Sequence, residues 1–392
     1  MKKKYTMENE SLEFDQIRSD RIKTLIWSIV CILILITVLV SLVLIFKEPE
    51  LQESPVPETT VPSVTEELIP TTEVPTEPTE PTEPEKIIYE IAPDALKGEM
   101  PDPECFGTAT DPAELQWLLE EAAEILDGQT TLFSTDLEIY AGSEITYYLD
   151  DSIFAICWKE VRDNFIYTFA ETKVAHPSQF RRYLVDGEYD SKPLYTTHQM
   201  EPMVNAVVAT SGDYYRARKH GVIFYDGAVR RFKYPEIIDT CFVDFNGDLI
   251  LEPRGTFSSE EEVAQFAEEH NINFSLAFGP IIMRDGVRCE PNKYGFGEIN
   301  DNYPRTALCQ RDQLHYVVVV ANGDGSHWNY PNIHDFTDQI ETMGFQNAYC
   351  LDGGNTGAIV MNGTTQNPIK ASKMRRISDC LYFATALPDE ES

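Results

Sequence analysis

Basic residues are scarce in this sequence of 392 residues. There are 31 lysines and arginines against 65 aspartates and glutamates, which gives a formal net charge of −34. A protein that binds nucleic acid or an anionic membrane surface through its overall charge needs the opposite balance. Both classes are therefore disfavoured, we predict no nucleic-acid partner, and an anionic ligand would need a local basic site.

The sequence also lacks the usual signatures of several hydrolase classes. It contains no G-x-S-x-G, no H-E-x-x-H and no P-loop, and its seven histidines show no metal-ligand spacing. We therefore assign no metal and require no cofactor. A divalent cation held by Asp213, Asp324 or Asp352 is conceivable but has no support in the sequence.

Cysteine is sparse, and its spacing is irregular. Seven of the eight cysteines follow residue 46, and no two have the C-x-x-C spacing. A disulfide framework or zinc site is therefore weakly supported, because both depend on regular pairs. Most of these cysteines are predicted to be buried thiols, and one or two bridges remain open.

Charge is absent from one long segment near the N-terminus. Residues 24–46 are 23 consecutive uncharged residues, enough for a helix to cross a hydrocarbon core of about 30 Å. Six lysines and arginines precede this segment, whereas residues 48–85 contain none. The positive-inside rule thus predicts a signal anchor with residues 1–23 in the cytoplasm and the rest outside the cell. A cleaved signal peptide is the alternative, but its apolar region would be shorter.

Apolar residues are few between the anchor and the remaining chain. Residues 48–85 contain 11 glutamates and nine prolines and end in PTEPTEPTEPE. Such a composition cannot bury enough apolar surface to offset the entropy of ordering. Residues 47–86 are therefore predicted to be a disordered stalk.

The remaining region is long enough for a substantial core. Residues 87–140 are predicted to be an accessory lead segment with one amphipathic helix that begins at Asp111-Pro112. Residues 141–392 predict an α/β to α+β domain with mixed β-sheets and packed helices. The strings ITYYL, IFAICW and FIYTFAETKV favour strands, and a short helix is expected near 178–184.

A strand, a helix and a second strand are predicted between residues 315 and 351. HYVVVVA and NAYCL are apolar runs typical of buried strands, and Asn332 is predicted to cap the intervening helix. We predict a C-terminal βαβ unit with a right-handed crossover and parallel strands. The loop with Asn322 and Gly323 would then open on the same sheet edge as the loop that begins at Asp352, where ligands bind in parallel sheets.

Two further loops and the start of one strand supply the other candidate site residues. Asp352-Gly353-Gly354-Asn355-Thr356 combines a carboxylate with two glycines, which let a ligand approach the backbone, and with two polar side chains. Arg305 can offer a bidentate fork to phosphate or carboxylate. Ser211-Gly212-Asp213 places another carboxylate after an apolar strand. A turn or a surface salt bridge is the ordinary alternative for each.

Together these motifs resemble the phosphodiester glycosidase family. The strings TSGDYY, GVIFYDG, FGPIIMRDG, PRTALCQ, VVVVANGDG, LDGGNTG and RRISDCLYF occur in this order over approximately residues 145–388. PRTA and LDGG are the most specific of them. The resemblance implies an enzyme that removes a sugar joined through its anomeric oxygen to a phosphodiester.

The resemblance also implies roles for individual residues. Arg305, Asp352 and Asp213 are the catalytic candidates, with Arg305 and two loop amides holding the phosphate and a carboxylate acting as base or stabilising the sugar cation. The family usually has asparagine at the position of Ser211, and glycine and serine at those of Asn355 and Thr356, so donor geometry and substrate choice differ. The candidate substrate-binding residues are Gly353, Gly354, Asn355, Thr356, Asn322, Gly323 and Ser211.

We therefore predict a single-pass membrane protein whose extracytoplasmic domain cleaves a sugar from a glycosyl-1-phosphodiester on envelope glycopolymers. Two other functions remain open. One is a noncatalytic glycan-binding module that retains the pocket. The other is an envelope scaffold in which the motifs only maintain the fold.

Overall fold

The structure is a computed structural model that describes residues 97–110, 112–125, 144–291, 297–323 and 329–386. The predicted cytoplasmic tail, transmembrane helix and stalk lie outside these residues. In the described ranges, no helix has the length and apolar character needed to span a bilayer.

The described residues form mainly β-strands. In chain order the strands are β1 (Phe106–Ala109), β2 (Ile145–Leu149), β3 (Ile153–Arg162), β4 (Phe165–Val174), β5 (Phe180–Leu184), β6 (Val208–Ser211), β7 (Gly221–Tyr225), β8 (Ala228–Lys233), β9 (Thr240–Asp244), β10 (Leu249–Glu252), β11 (Ile272–Leu276), β12 (Ile281–Arg284), β13 (Val287–Arg288), β14 (Arg305–Asp312), β15 (His315–Asn322), β16 (Asn347–Leu351), β17 (Ile359–Met361), β18 (Thr364–Thr365) and β19 (Asp379–Phe383). The α-helices are α1 (Pro112–Ile125), α2 (Thr197–Met203), α3 (Glu260–Glu269), α4 (Gly297–Asn300) and α5 (Ile333–Glu341).

Three sheets organise these strands. The nine-stranded sheet has the order β1-β2-β3-β4-β15-β14-β16-β12-β13, and two five-stranded sheets have the orders β10-β9-β11-β7-β8 and β18-β17-β6-β19-β5. Within the part of the chain that the structure describes, the pairs joining these neighbours are antiparallel. The molecule is thus an α+β protein of antiparallel sheets, and the prediction of mixed sheets was wrong.

The predicted βαβ unit requires the same correction. β15, α5 and β16 occur where they were expected, but β14 lies between the two strands and pairs antiparallel with both. β15 and β16 therefore run in the same direction without being neighbours. The chain therefore leaves β15 and β16 at the same end of the sheet.

The middle of β15 is a continuous apolar run because the strand is buried on both faces. All eight residues of β15 are buried. On one side, the ring of Tyr167 in β4 stacks on Phe336 of α5, with 6.3 Å between the centroids. Such two-sided burial gives the continuous apolar run that is usual in parallel strands, although this sheet is antiparallel.

The lead segment contributes directly to this architecture. β1 forms four pairs with β2 at the edge of the large sheet. Leu115, Leu118 and Ala122 of α1 belong to the main hydrophobic core. The described part of the lead therefore packs with the strands that follow it.

Candidate functional site

The register of the large sheet brings two distant sequence motifs together. Thr306 of β14 pairs with Leu351 of β16. Arg305 precedes Thr306 as the first residue of β14, and Asp352 directly follows Leu351, the last residue of β16. Because these strands are antiparallel, Arg305 and Asp352 reach the same sheet edge although 47 positions separate them in the sequence.

Both residues line one cavity of about 470 Å³. This volume lies within the range of sites for small ligands. Arginine, aromatic and loop residues form its wall: Tyr214, Arg218, Phe278, Gly279, Pro280, Ile299, Tyr303, Pro304, Arg305, Tyr330, Cys350, Leu351, Asp352, Gly353, Gly354, Asn355 and Arg375. Among these described residues, Asp352 is the one carboxylate and three are arginines.

Arg305 is held in this wall by backbone carbonyls. Its side chain is largely buried, and its Nη2 donates to the carbonyl oxygen of Ile299 at 3.1 Å and to that of Asp301. Burial lowers the pKa of Arg305, whereas Cys350 and Asp301 raise it. A guanidinium nevertheless stays protonated at physiological pH. Arg305 thus supplies a fixed positive charge.

Asp352 is a buried carboxyl whose protonation can change near neutrality. Burial raises its pKa from 3.8 to about 7, against the opposing effects of Thr356, Arg375 and Arg218. Its Oδ2 is shielded from solvent and has no hydrogen-bond partner among the described residues. A buried polar atom of this kind normally bonds to water or a ligand. Asp352 is therefore suited to exchange a proton with a molecule in the cavity.

The glycine loop after Asp352 packs tightly against the start of β14. A Cβ on Gly353 would overlap the carbonyl oxygen of Pro304. The amide of Gly354, whose φ is +64°, donates to the same oxygen at 2.9 Å. The predicted role of the Gly354 amide in holding phosphate is thus not supported, because that amide fixes the loop on Pro304.

Two of the three positions where the sequence departs from the family pattern, Asn355 and Thr356, lie in this loop. Asn355 is exposed at the mouth of the cavity, and its carbonyl oxygen accepts the amide of Arg375 at 2.7 Å. Thr356 is buried, and its hydroxyl donates to the carbonyl oxygen of Gly353. Asn355 therefore lines the cavity, whereas Thr356 closes the loop behind it.

Ser211 and Asp213 lie behind the cavity. The hydroxyl of Ser211 donates to the carbonyl oxygen of Asp352 at 2.8 Å. The two carboxylate oxygens of Asp213 accept the amides of Tyr215 at 2.9 Å and Ala277 at 2.8 Å. Asp213 is fully buried and is not part of the cavity lining. In this arrangement it cannot contact a ligand, and it instead anchors the segments that carry Tyr214 and Phe278.

Asp213 belongs to a buried cluster with Arg182 and Asp379. The Nη2 of Arg182 lies 2.8 Å from a carboxylate oxygen of each aspartate. Burial raises the pKa of Asp379, Asp213 raises it further, and Arg182 lowers it. Gly212 is required beside this cluster, because a Cβ there would overlap the Asp379 carboxylate. The amide of Asp352 donates to the carbonyl oxygen of Gly212 at 3.2 Å, so the cluster supports the backbone of the site.

Asn322 and Gly323 are close to the site but outside the described lining. The side-chain amide nitrogen (Nδ2) of Asn367 donates to Asn322 Oδ1 at 3.1 Å. A Cβ on Gly323 would overlap the carbonyl oxygen of Asn329 and would lie 3.1 Å from the Tyr330 ring. Gly323 thus lets Tyr330 reach the cavity wall, and neither predicted residue has a ligand-facing position.

Sequence reasoning missed two arginines of the cavity. Arg218 is buried, lies 4.2 Å from the ring centroid of Phe278 and donates to its carbonyl oxygen at 3.3 Å. Arg375 is exposed, and its guanidinium lies 5.7 Å from the ring centroid of Tyr214. RRISDCLYF contains Arg375 and was part of the family resemblance, so this string was the available signal. Arg218 had no such signal.

In the described residues, no group of three or more histidine, cysteine, aspartate or glutamate side chains could hold a metal ion. Asp324, one of the three residues considered for a cation, lies outside them. The described cysteines are free thiols.

Comparison with known proteins agrees with the motif analysis. Residues 204–384 match the model of the phosphodiester glycosidase family. The resemblance drawn from the sequence is thereby confirmed for this part of the chain, which contains Asp352 and the three arginines.

Individual relatives are distant. The chain is 25% identical over 118 residues to the SPbeta prophage-derived uncharacterized protein YomE of Bacillus subtilis (strain 168), a match that covers 30% of this chain and 18% of that protein. Among solved structures, the zebrafish N-acetylglucosamine-1-phosphodiester alpha-N-acetylglucosaminidase catalytic domain, auto-inhibited by its pro-peptide, has a TM-score of 0.47 and 18% identity over 60% of this chain and 83% of that chain. A hypothetical protein from Synechocystis has a TM-score of 0.43 and 10% identity over 61% of this chain and 63% of its own.

Proposed function

We infer that the phosphodiester glycosidase family domain of residues 204–384 hydrolyses the bond between a sugar and a phosphodiester. The observation that carries this proposal is the composition of one cavity. It combines the buried guanidinium groups of Arg218 and Arg305 with the buried carboxyl of Asp352. Neighbouring cations suit a phosphate, and a carboxyl suits the sugar carbon or the attacking water.

The arginines would bind the phosphate and stabilise the charge that it gains. Arg305 is held by two backbone carbonyls, and Arg218 packs on Phe278. Because both groups are positioned before the ligand binds, they need no reorganisation as negative charge develops on the departing oxygen. Bidentate arginine contacts would also orient the phosphate oxygens.

Asp352 would act as the general base. The bond between the anomeric carbon and the phosphate oxygen breaks, and its electron pair leaves with the phosphate. A water molecule forms the new bond to the anomeric carbon and gives its proton to the Asp352 carboxylate. A pKa of about 7 is well matched to this task near neutral pH.

One carboxylate is sufficient for this reaction in chemical terms. An ordinary glycoside needs a second carboxyl to protonate its alkoxide leaving group. A phosphate monoester leaves as a stable anion, and the arginines compensate its charge. This agrees with Asp352 being the one carboxylate among the described lining residues.

For the N-terminal part of the chain, the proposal rests on the sequence alone. The uncharged segment 24–46 and the stalk 47–86 would hold the domain outside the cell on a single-pass anchor. Phosphodiester-linked glycopolymers of the cell envelope would then be accessible substrates.

The proposal is tested by product analysis with the full chain. The probes are methyl phosphodiesters of α-glucose, α-galactose and α-N-acetylglucosamine 1-phosphate, incubated in ¹⁸O-labelled water. We expect free sugar and methyl phosphate, with the label in the sugar. Label in the phosphate would show cleavage of the P–O bond and contradict a glycosidase. Saturable binding without product would instead support the noncatalytic glycan-binding alternative.

A further inference from the structure

Two basic segments border the cavity of this strongly acidic protein. Residues 214–220 and 369–377 contain seven lysines and arginines and no acidic residue, whereas the whole chain has a net charge of −34. We call these two segments the basic rim. Its exposed cations are Lys219, Lys370, Lys373, Arg375 and Arg376.

The basic rim is attached to the cavity by specific contacts. The guanidinium of Arg375 lies 5.7 Å from the ring centroid of Tyr214, which joins the two segments. The amide of Arg375 donates to the carbonyl oxygen of Asn355 at 2.7 Å. Tyr214, Asn355 and Arg375 all line the cavity. Arg375 therefore lies in the cavity wall, and the other exposed cations belong to the two chain segments that carry Tyr214 and Arg375.

The number of cations exceeds what one phosphodiester requires. The two buried arginines, Arg218 and Arg305, already provide two positive charges for a group that carries one negative charge. The exposed cations of the basic rim other than Arg375, which lines the cavity, remain available for charges outside it. Clustered charge of one sign around a cleft raises the local concentration of oppositely charged ligands.

We propose that the group on the far side of the scissile phosphate is itself polyanionic, so that the substrate is a chain of repeated phosphodiesters. The reacting phosphate would occupy the cavity, and the following phosphates would lie along the basic rim. This inference rests on the proposed function and adds the class of the leaving group. Recognition of a neutral leaving group would not use the exposed cations of the basic rim.

Two substrates with the same sugar test the inference. One is a sugar 1-phosphate methyl diester, and the other carries a glycerol phosphate trimer in place of the methyl group. We expect the full chain to cleave the trimer conjugate with a kcat/KM at least about tenfold higher at low salt. Raising the salt concentration from about 0.01 M to about 1 M shortens the Debye length from about 30 Å to about 3 Å, and the preference should then disappear.

Substitutions of exposed cations show which residues cause the preference for the trimer conjugate. Arg375→Gln should lower the ratio of the two kcat/KM values by about two- to fivefold, as expected for an exposed ion pair. Combining it with Lys373→Gln and Arg376→Gln should remove most of the preference. Arg284→Gln is the matched control, because it makes the same charge change at an exposed position outside the cavity lining. Any loss common to both substrates cancels in the ratio.

The possible outcomes separate this inference from the proposed function. Turnover of both substrates with an equal kcat/KM, or an equal effect of Arg284→Gln, would overturn the inference alone. Turnover of neither would contradict the proposed function. In that case the inference is tested by calorimetry of a glycerol phosphate hexamer. The hexamer must bind the parent protein, and it must bind the triple variant more weakly; equal binding would overturn the inference. Tighter binding of a DNA oligonucleotide of equal charge would assign the basic rim to nucleic acid and overturn the inference.

Discussion

Burial has the largest influence on the pKa of the Asp352 carboxyl. Burial raises its pKa to about 7, and its Oδ2 has no hydrogen-bond partner in the described part of the chain. In the proposed role of general base it must be deprotonated to react. We therefore predict that kcat/KM rises with pH and levels off above an inflection near 7. A pH series with the methyl diester measures this, and activity that falls above pH 7 would indicate an acid role instead.

The same raised pKa makes Asp352 unfavourable for stability at neutral pH. Between 3.8 and about 7 the folded chain binds this proton more tightly than the unfolded chain does, so stability falls as pH rises through this window. Asp352→Asn removes the effect. We expect the variant to be more stable than the parent at pH 8, by up to a few kcal/mol, and equal to it at pH 4.

Thermal unfolding of both proteins between pH 4 and pH 8 measures this difference. Asp151→Asn, which alters an exposed aspartate outside the cavity lining, is the control for loss of a carboxylate. A difference between Asp352→Asn and the parent that is constant with pH would contradict the raised pKa.

At the scale of single residues, the sequence predicted some members of the site correctly and missed others. Arg305 and Asp352 lie in motifs with a recognisable order, and the structure places both in one cavity. Asp213 matched a motif as well, but its role depends on contacts with Arg182 and Ala277, which are remote in sequence. Arg218 is an arginine in a basic stretch, and nothing in that stretch shows that it would be buried against Phe278.

At the scale of elements, β5, β6 and β19 together carry the buried cluster that supports the site. Arg182 lies on β5 and Asp379 begins β19, while Asp213 follows β6. The register pairs Cys380 with Ser211, which places Asp379 beside Gly212. The cluster thus connects one sheet to the loop that begins at Asp352.

This connection predicts an electrostatic effect of a residue outside the cavity. The negative charge of Asp379 raises the pKa of Asp352. Asp379→Asn should therefore move the inflection of kcat/KM to lower pH, because Asp352 then loses its proton more readily. A merely structural role would reduce activity without moving the inflection. An unchanged inflection in an active Asp379→Asn variant would contradict the coupling.

Strand predictions succeeded where the pattern was local. ITYYL and FIYTFAETKV form β2 and β4 with the expected bounds, and Asn332 caps α5. The helix expected near 178–184 was wrong. A 3₁₀ turn at Pro177–Gln179 precedes β5, whose residues alternate between buried and half-buried. β14 and β15 form a local hairpin, but strand order could not be predicted, because β14 pairs with β16 between residues far apart in the sequence, such as Thr306 and Leu351.

At the scale of the whole molecule, the lead segment and the region that matches the family model share one core. Leu118 of α1 is 2% exposed within the main core, whereas its neighbour Trp117 is 56% exposed. Leu118→Ala should lower the free energy of unfolding by about 2–5 kcal/mol, since it leaves a cavity. Trp117→Ala, the matched control, should change it by no more than about 0.5 kcal/mol.

Urea unfolding of the two variants measures these changes. A small effect of Leu118→Ala, equal to that of Trp117→Ala, would show that α1 does not belong to the core. The anchor at 24–46 and the stalk at 47–86 lie outside the described residues, and they remain predictions from charge and composition.

The central claim is that Arg305 and Asp352, brought together by β14 and β16, act on one glycosyl phosphodiester. A double-mutant cycle on kcat/KM with Arg305→Ala, Asp352→Asn and the combined variant tests it most directly. We predict that each single change lowers kcat/KM by at least about 100-fold and that the double change costs much less than the product of the two, because groups acting in one transition state are not additive. Sugar release at the parental rate by either single variant, or two losses that multiply independently, would contradict it.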